Sequence, residues 1–115
     1  MSCDCNEYEV VVEASRKTLR IPIVDGDGAP LDISAGSVIL EGSSDDLPAV
    51  LINLPGVAYD GPGGIAQFDS VGSQVTEAQL GLLPSAVFTC RVRFTDGFGQ
   101  DWSSPLKLRF IPQPF

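Results

Sequence analysis

The stretch AVFTCRVRFTDGFGQDWSSPLKLRF, residues 86–110, decides the fold of this chain, because two runs of alternating apolar and polar residues flank a turn. Alternation with a period of two over this length predicts half-buried antiparallel strands, since successive side chains point to opposite faces. Asp96-Gly97 is expected to supply the turn, because both residue types tolerate the positive φ angles of tight hairpins. The inward face is then formed by Phe88, Cys90, Val92 and Phe94 in the first strand and by Leu106, Leu108 and Phe110 in the second.

Short apolar runs separated by glycine- and proline-rich turns continue this pattern through the rest of the chain. Together with the hairpin they make about seven strands, which predicts an all-β, immunoglobulin-like antiparallel β-sandwich. An eight-stranded jelly roll or a small barrel is the structural alternative. The further strands are predicted at residues 8–14, 17–24, 37–41, 49–54 and 65–69, with 57–59 either extending the fourth of these or forming a short strand of its own.

Two local signals refine this prediction. Pro22 cannot donate to a strand ladder, so its strand is expected at a sheet edge or with the proline on a free side. Thr76-Glu77-Ala78-Gln79 fits the capping box, in which the first and fourth residues exchange hydrogen bonds at a helix start. One short helical turn is therefore expected near residues 76–80, where it closes one end of the sandwich.

Length and charge limit the class of protein. A chain of 115 residues predicts a single domain, with an N-terminal arm and first strand at residues 1–14 and the sandwich at 15–115. The formal net charge of −8 argues against nucleic acid as a partner, because phosphates would be repelled. No apolar run reaches the length of about 18 residues that a membrane span needs. The N-terminus carries acids where an export signal needs basic and then apolar residues, so secretion by a signal peptide is not expected.

Metal and cofactor sites are not expected. Three cysteines do not make a disulfide framework, which favours a reducing compartment during folding. Cys3 and Cys5 form a C-x-C pair that supplies two thiolates, whereas a zinc shell needs four ligands. The acidic turn that starts at Asp25 fails the calcium-loop pattern at its fifth, sixth and twelfth positions and is better explained as a hairpin turn. Cys90 is expected to be a reduced, buried core thiol.

Enzymatic chemistry is not expected either. The chain has no histidine, which removes histidine-dependent nucleophilic catalysis and the commonest metal ligand. A hydrolase with two carboxylates stays an alternative, because the chain has 15 acidic residues. Most of the aspartates, however, stand in predicted turns, where they commonly accept backbone hydrogen bonds.

The order of several short motifs resembles the immunoglobulin-like domains of tailed-phage structural proteins, such as the N-terminal domain of the baseplate upper protein family. The motifs are a basic lead into an apolar strand at residues 15–18, a stretch Ala-Pro-Leu-Asp-Ile-Ser at 29–34, the segment at 76–80 and the T-D-G turn at 95–97. The resemblance covers residues 15–110. It implies a non-enzymatic virion component in the tail, baseplate, neck or capsid surface, made in the host cytoplasm, which assembles with its own copies and with neighbouring virion proteins.

Candidate contact residues follow from the hairpin and the chain ends. Four basic side chains are expected on its outward face, where they either form an ordinary solvated surface or meet acidic loops of a neighbouring copy. The second hypothesis predicts assembly that is sensitive to salt. A cell-surface or carbohydrate-binding module is the alternative function, and it needs several aromatic side chains on one exposed face. The candidate interface residues are Arg91, Arg93, Lys107, Arg109, Phe98, Trp102 and Phe115.

Overall fold

The structure is a computed structural model that describes residues 7–13 and 18–113. Its described residues form eight strands, a 3₁₀ turn at Val71–Gln74 and a one-turn helix, α1, at Glu77–Leu80. A five-stranded sheet has the order β1-β8-β7-β3-β4, and a three-stranded sheet has the order β2-β6-β5. The predicted β-sandwich is therefore confirmed. The strands are β1 (Glu7–Val11), β2 (Leu19–Pro22), β3 (Gly36–Ser43), β4 (Leu51–Pro55), β5 (Val57–Asp60), β6 (Ile65–Phe68), β7 (Ala86–Asp96) and β8 (Asp101–Ile111).

The hairpin of β7 and β8 is the centre of the larger sheet. The two strands pair antiparallel from Ala86 opposite Phe110 to Thr95 opposite Asp101. Every residue predicted for its inward face is buried. Phe88 and Phe110 meet edge to face with ring centroids 5.3 Å apart, an arrangement that aromatic quadrupoles favour. The hairpin thus supplies much of the core against which the smaller sheet packs.

Two details of the predicted hairpin and sheet were wrong. The positive φ in the turn belongs to Gly99, at 85°, and not to Asp96-Gly97. The sandwich is also not wholly antiparallel, because β1 pairs in parallel with β8, with Glu7 beside Lys107 and Val11 beside Ile111. That pairing joins segments about a hundred residues apart, and local alternation carries no information on which strand lies beside which.

The capping box is confirmed at the start of α1. The backbone N–H of Thr76 donates to Oε1 of Gln79 at 2.9 Å, and the backbone N–H of Gln79 donates to Oγ1 of Thr76 at 3.1 Å. A third bond comes from far along the chain, since Oε2 of Glu13 accepts from the backbone N–H of Glu77 at 2.7 Å. The helical turn is thereby tied to the end of the first strand, where it closes one end of the sandwich.

Prolines stand on the free side of two edge strands. The backbone N–H of Gly56 donates to the carbonyl of Val38 on β3 at 3.0 Å. Because alternate residues of an antiparallel strand bond to the same neighbour, the backbone of Pro55 faces away from the sheet. On β2, the N–H of Ile23 donates to the carbonyl of Gly64, so the backbone of the preceding Pro22 also faces away from its sheet. Strand β2 is an edge strand, as predicted. Proline offers no N–H there, which discourages pairing with a foreign strand.

The chain passes from one sheet to the other at Gly56, between β4 and β5. A Cβ atom at this position would lie 2.5 Å and 2.6 Å from ring carbons of Phe68 and 2.7 Å from the carbonyl oxygen of Gln67. Phe68 is fully buried, so its ring has little room to move away. The crossing therefore requires a residue without a side chain.

We expect Gly56→Ala to lower the free energy of unfolding by about 1–3 kcal/mol, the usual cost of overpacking a core. Gly97→Ala is the matched control, because no atom lies within 4 Å of a Cβ built at Gly97. Urea unfolding followed by far-ultraviolet circular dichroism measures both variants. Equal stability of the two variants would contradict this account of the crossing.

Candidate functional site

The tip of the hairpin is a turn braced by one carboxylate. Oδ1 of Asp96 accepts from the backbone N–H of Phe98 at 2.8 Å and from that of Gln100 at 2.9 Å. The backbone N–H of Asp96 donates to the carbonyl of Gln100 at 3.0 Å, and Gly99 supplies the left-handed residue that closes the turn. An aspartate that bonds to backbone groups two and four residues ahead holds such a turn in one conformation.

Phe98 projects from this turn into solvent. Its side chain is 94% exposed, and glycines precede and follow it in the sequence. Leaving a phenylalanine in water forgoes about 1.5–3 kcal/mol of hydrophobic free energy. Single exposed apolar side chains are common on protein surfaces, so it is the position of Phe98 on a braced turn that makes it a candidate contact residue. The sequence placed Phe98 among the candidate interface residues, and the structure adds that the described residues leave its ring almost fully uncovered.

Trp102, the other aromatic residue near this turn, has a different environment. It lies opposite Phe94 in the hairpin register, and the two rings are 5.8 Å apart. The indole is partly buried against the core. Tyr59 lies on the outer face of the smaller sheet, under the guanidinium of Arg20 at 3.8 Å. The aromatic side chains near the surface therefore do not share one face, and a stacking platform for sugars is not formed among the described residues.

The predicted basic face is a face of mixed charge. Nε of Arg91 and Nε of Arg93 each lie 3.3 Å from Oε1 of Glu41, and Nε of Arg109 lies 3.3 Å from Oε2 of Glu7. The Arg91 and Arg109 contacts are also hydrogen bonds, whereas the Nε–H of Arg93 is buried and does not point at the carboxylate. Pairs as exposed as these contribute at most about 1 kcal/mol each.

Lys107 completes the set of predicted cations, in register with Thr89 and Glu7. Because paired residues share a face, the register also places four acids on the outward side, beside the four cations. The described part of this face thus has no excess of positive charge, which favours the ordinary solvated surface. The acids are Glu7, Glu9, Glu41 and Asp101.

The carboxylates in the loops have structural partners. Asp25 accepts from the backbone of Asp27 and Ala29, Asp60 accepts from Gly63, and Asp46 accepts from Val87. Two hydrogen bonds from Ser34 hold the pKa of Asp32 below its usual range. The bond from the Ser34 hydroxyl has the larger effect, and the bond from its backbone N–H the smaller. No group of three or more metal-ligating side chains occurs within residues 7–13 and 18–113.

Three of the sequence-based predictions fall on residues outside the described ranges. Phe115 was a candidate interface residue, and Cys3 and Cys5 were the possible thiolate pair. No described helix is long and apolar enough to cross a membrane.

Comparison with known proteins identifies no family. No family model matches the chain, and no curated protein matches it. Among solved structures, the crystal structure of CopC from Methylosinus trichosporium OB3b matches 93% of this chain and 87% of its own, with a TM-score of 0.45 and 10% sequence identity.

This comparison contradicts the prediction that the chain is a structural component of a tailed-phage virion, and that prediction is wrong. CopC matches among solved structures, no family model or curated protein matches, and none of these comparisons gives a phage protein. The motifs at residues 29–34 and 95–97 consist of turn residues that any β-sandwich uses, so the order of the motifs was weak evidence for that role. No comparison tests the resemblance itself, which stays a prediction.

Cys90 is buried between the sheets, as predicted. Burial raises the pKa of its thiol to about 12, an effect that a hydrogen bond with the backbone of Leu108 partly opposes. Only the thiolate is a nucleophile, so a thiol with this pKa is inert at neutral pH. Burial favours the neutral thiol. The stability that the folded protein gains from burying Cys90 is therefore complete below the pKa of the unfolded thiol, and it is lost as the pH rises toward 12.

We expect Cys90 in a Cys3→Ser, Cys5→Ser variant to resist a disulfide reagent at pH 8 in the folded protein and to react fully in denaturant. Absorbance of the released chromophore measures the number of accessible thiols. Labelling of the native protein within seconds would show that the site around Cys90 opens readily and would contradict its assignment as a core residue.

Proposed function

We propose that this chain is a non-enzymatic protein-binding β-sandwich, and that it associates with a second copy of itself through the tip of the β7–β8 hairpin. The observation that carries the proposal is Phe98, a fully exposed aromatic side chain on a turn that Asp96 fixes. Loops at the ends of a β-sandwich commonly carry its binding function, because the sheets hold them in place.

Rigidity is what favours Phe98 over the other exposed apolar side chains. A turn whose backbone is already held in one conformation loses little backbone entropy on association. Phenylalanine also carries a large apolar area with only two side-chain torsions. Leu82 is equally exposed, but it follows the one-turn helix α1 at the opposite end of β7 and has no comparable brace.

Two further observations support a binding role without catalysis. The carboxylates of Asp25, Asp46 and Asp60 already accept backbone hydrogen bonds, so they are engaged in holding loops. The charges of the outward face pair with each other, which favours an apolar contact over a contact between a basic face and acidic loops. An apolar contact persists at high salt, because screening acts on exposed charges.

We expect the protein to form a dimer whose dissociation constant rises at least about thirtyfold in Phe98→Ser, the loss typical of a central anchor residue. Sedimentation equilibrium over a concentration series, at low and high salt, measures this constant. Leu82→Ser is the matched control, because it removes an equally exposed apolar side chain at the other end of the molecule.

Three results would contradict the proposal. The unchanged protein could remain a monomer at every concentration. The two substitutions could weaken association equally. Association could also disappear at high salt, which would show that charged side chains, and not Phe98, make the contact.

A further inference from the structure

A recess of about 300 Å³ opens between the two sheets at the same end of the sandwich as Phe98. Ile33 and Val38, both almost completely buried, form its floor, and Val57 and Ala58 of the edge strand β5 form its rim. None of the described residues that line it carries a charge. Ser34 and Ser37 also line it, so the recess is uncharged and of mixed polarity, and it can accept an apolar side chain without leaving a charge buried.

Two glycines line this recess. Gly36 begins β3 and Gly56 carries the chain across to the smaller sheet, and both line the recess. A side chain at Gly36 would collide with the carbonyl of Thr95 and the ring of Phe94, and one at Gly56 would collide with Phe68. Both positions are therefore restricted to glycine, and the wall of the recess is bare backbone there.

The recess and the hairpin tip are close neighbours in the fold. Gly36 is paired with Asp96, the residue that braces the tip. The tip lies between β7 and β8, and the recess lies beyond β3, so about two strand spacings, or roughly 10 Å, separate them. Phe98 does not fill the recess of its own chain, because its ring is 94% exposed.

We propose that Phe98 of one copy enters this recess in a second copy, and that the exchange is mutual, so that two copies form a closed dimer about a two-fold axis. This inference rests on the proposed function and adds its receiving site and symmetry. An exposed apolar side chain and an acceptor recess on the same end of a molecule permit an isologous contact, which closes at two copies. An acceptor on the far side of the molecule would instead produce rings or open chains.

The size of the contact indicates a weak dimer. An aromatic side chain buries about 150–250 Å² of its surface. Two such side chains give only part of the roughly 1,200 Å² at the lower end of specific interfaces, which is the range of weak and transient contacts. The two-fold axis repeats the contact, so Phe98 of each copy enters the recess of the other. A substitution at Phe98 is present in both copies and therefore removes both contacts.

Ala58 offers a direct test of the recess. It lies opposite the buried Ala66, so its side chain points between the sheets, and it lines the recess. We expect Ala58→Phe to fill the recess from within and to raise the dissociation constant of the dimer at least about thirtyfold, as Phe98→Ser does. Ala29→Phe is the matched control, because Ala29 is exposed in a turn outside the recess.

Mixing the two variants tests the symmetry. Ala58→Phe keeps the inserting side chain and Phe98→Ser keeps the open recess, so a mixed pair retains one of the two contacts. Sedimentation of an equimolar mixture should show dimer at concentrations at which either variant alone is a monomer. A mixture that associates no better than its components overturns the proposal.

The result for Ala58→Phe also separates this inference from the proposed function. A dimer that survives Ala58→Phe but not Phe98→Ser overturns the recess as the receiving site and leaves the role of Phe98 intact. If Ala58→Phe does not fold, as judged by its unfolding transition, Val57→Ser replaces it, because Val57 stands on the rim and is 58% exposed. An unchanged dissociation constant in Val57→Ser would then count against the recess.

Discussion

The packing of the inward face of the β7–β8 hairpin is the constraint on which the rest of this structure depends. Phe88, Phe94 and Phe110 lie in the centre of the core, and both β1 and β3 find their places by pairing with the hairpin. Because its strands bond to each other along their whole length, the hairpin is the most strongly determined element of the fold. The turn that carries Phe98 therefore extends from a rigid support, which is the property that a contact residue needs.

The edges of the sheets also limit the ways in which this protein can associate with another chain. Pro22 and Pro55 turn positions without an N–H toward solvent, so the edge strands β2 and β4 are poorly suited to pairing with another chain. The crossing at Gly56 leaves a recess beside the short edge strand β5. Extension of a sheet is thus disfavoured at these two edges, while β1 and β5 form the opposite edges of the two sheets.

The sequence was sufficient wherever the determining interactions are local. Alternation over residues 86–110 predicted the hairpin and its buried face, and the spacing of Thr76 and Gln79 predicted the cap of α1. Interactions between distant segments could not be predicted from the sequence. The parallel pairing of β1 with β8, the neutralisation of Arg91 by Glu41 and the recess at Gly56 each join residues from different parts of the chain. The assignment to a phage particle failed for a related reason, since turn chemistry common to many sandwiches does not specify a function.

Hydrogen exchange of the unchanged protein, measured by mass spectrometry at low and at high protein concentration, tests the central claim most directly. The backbone amides of Phe98 and Ala58 lie on the two halves of the proposed contact. The account predicts that exchange slows with concentration at both segments, around residues 97–99 and 56–58, while the opposite end at residues 81–84 is unaffected. Exchange that is independent of concentration at both segments, or that slows only elsewhere, would contradict it.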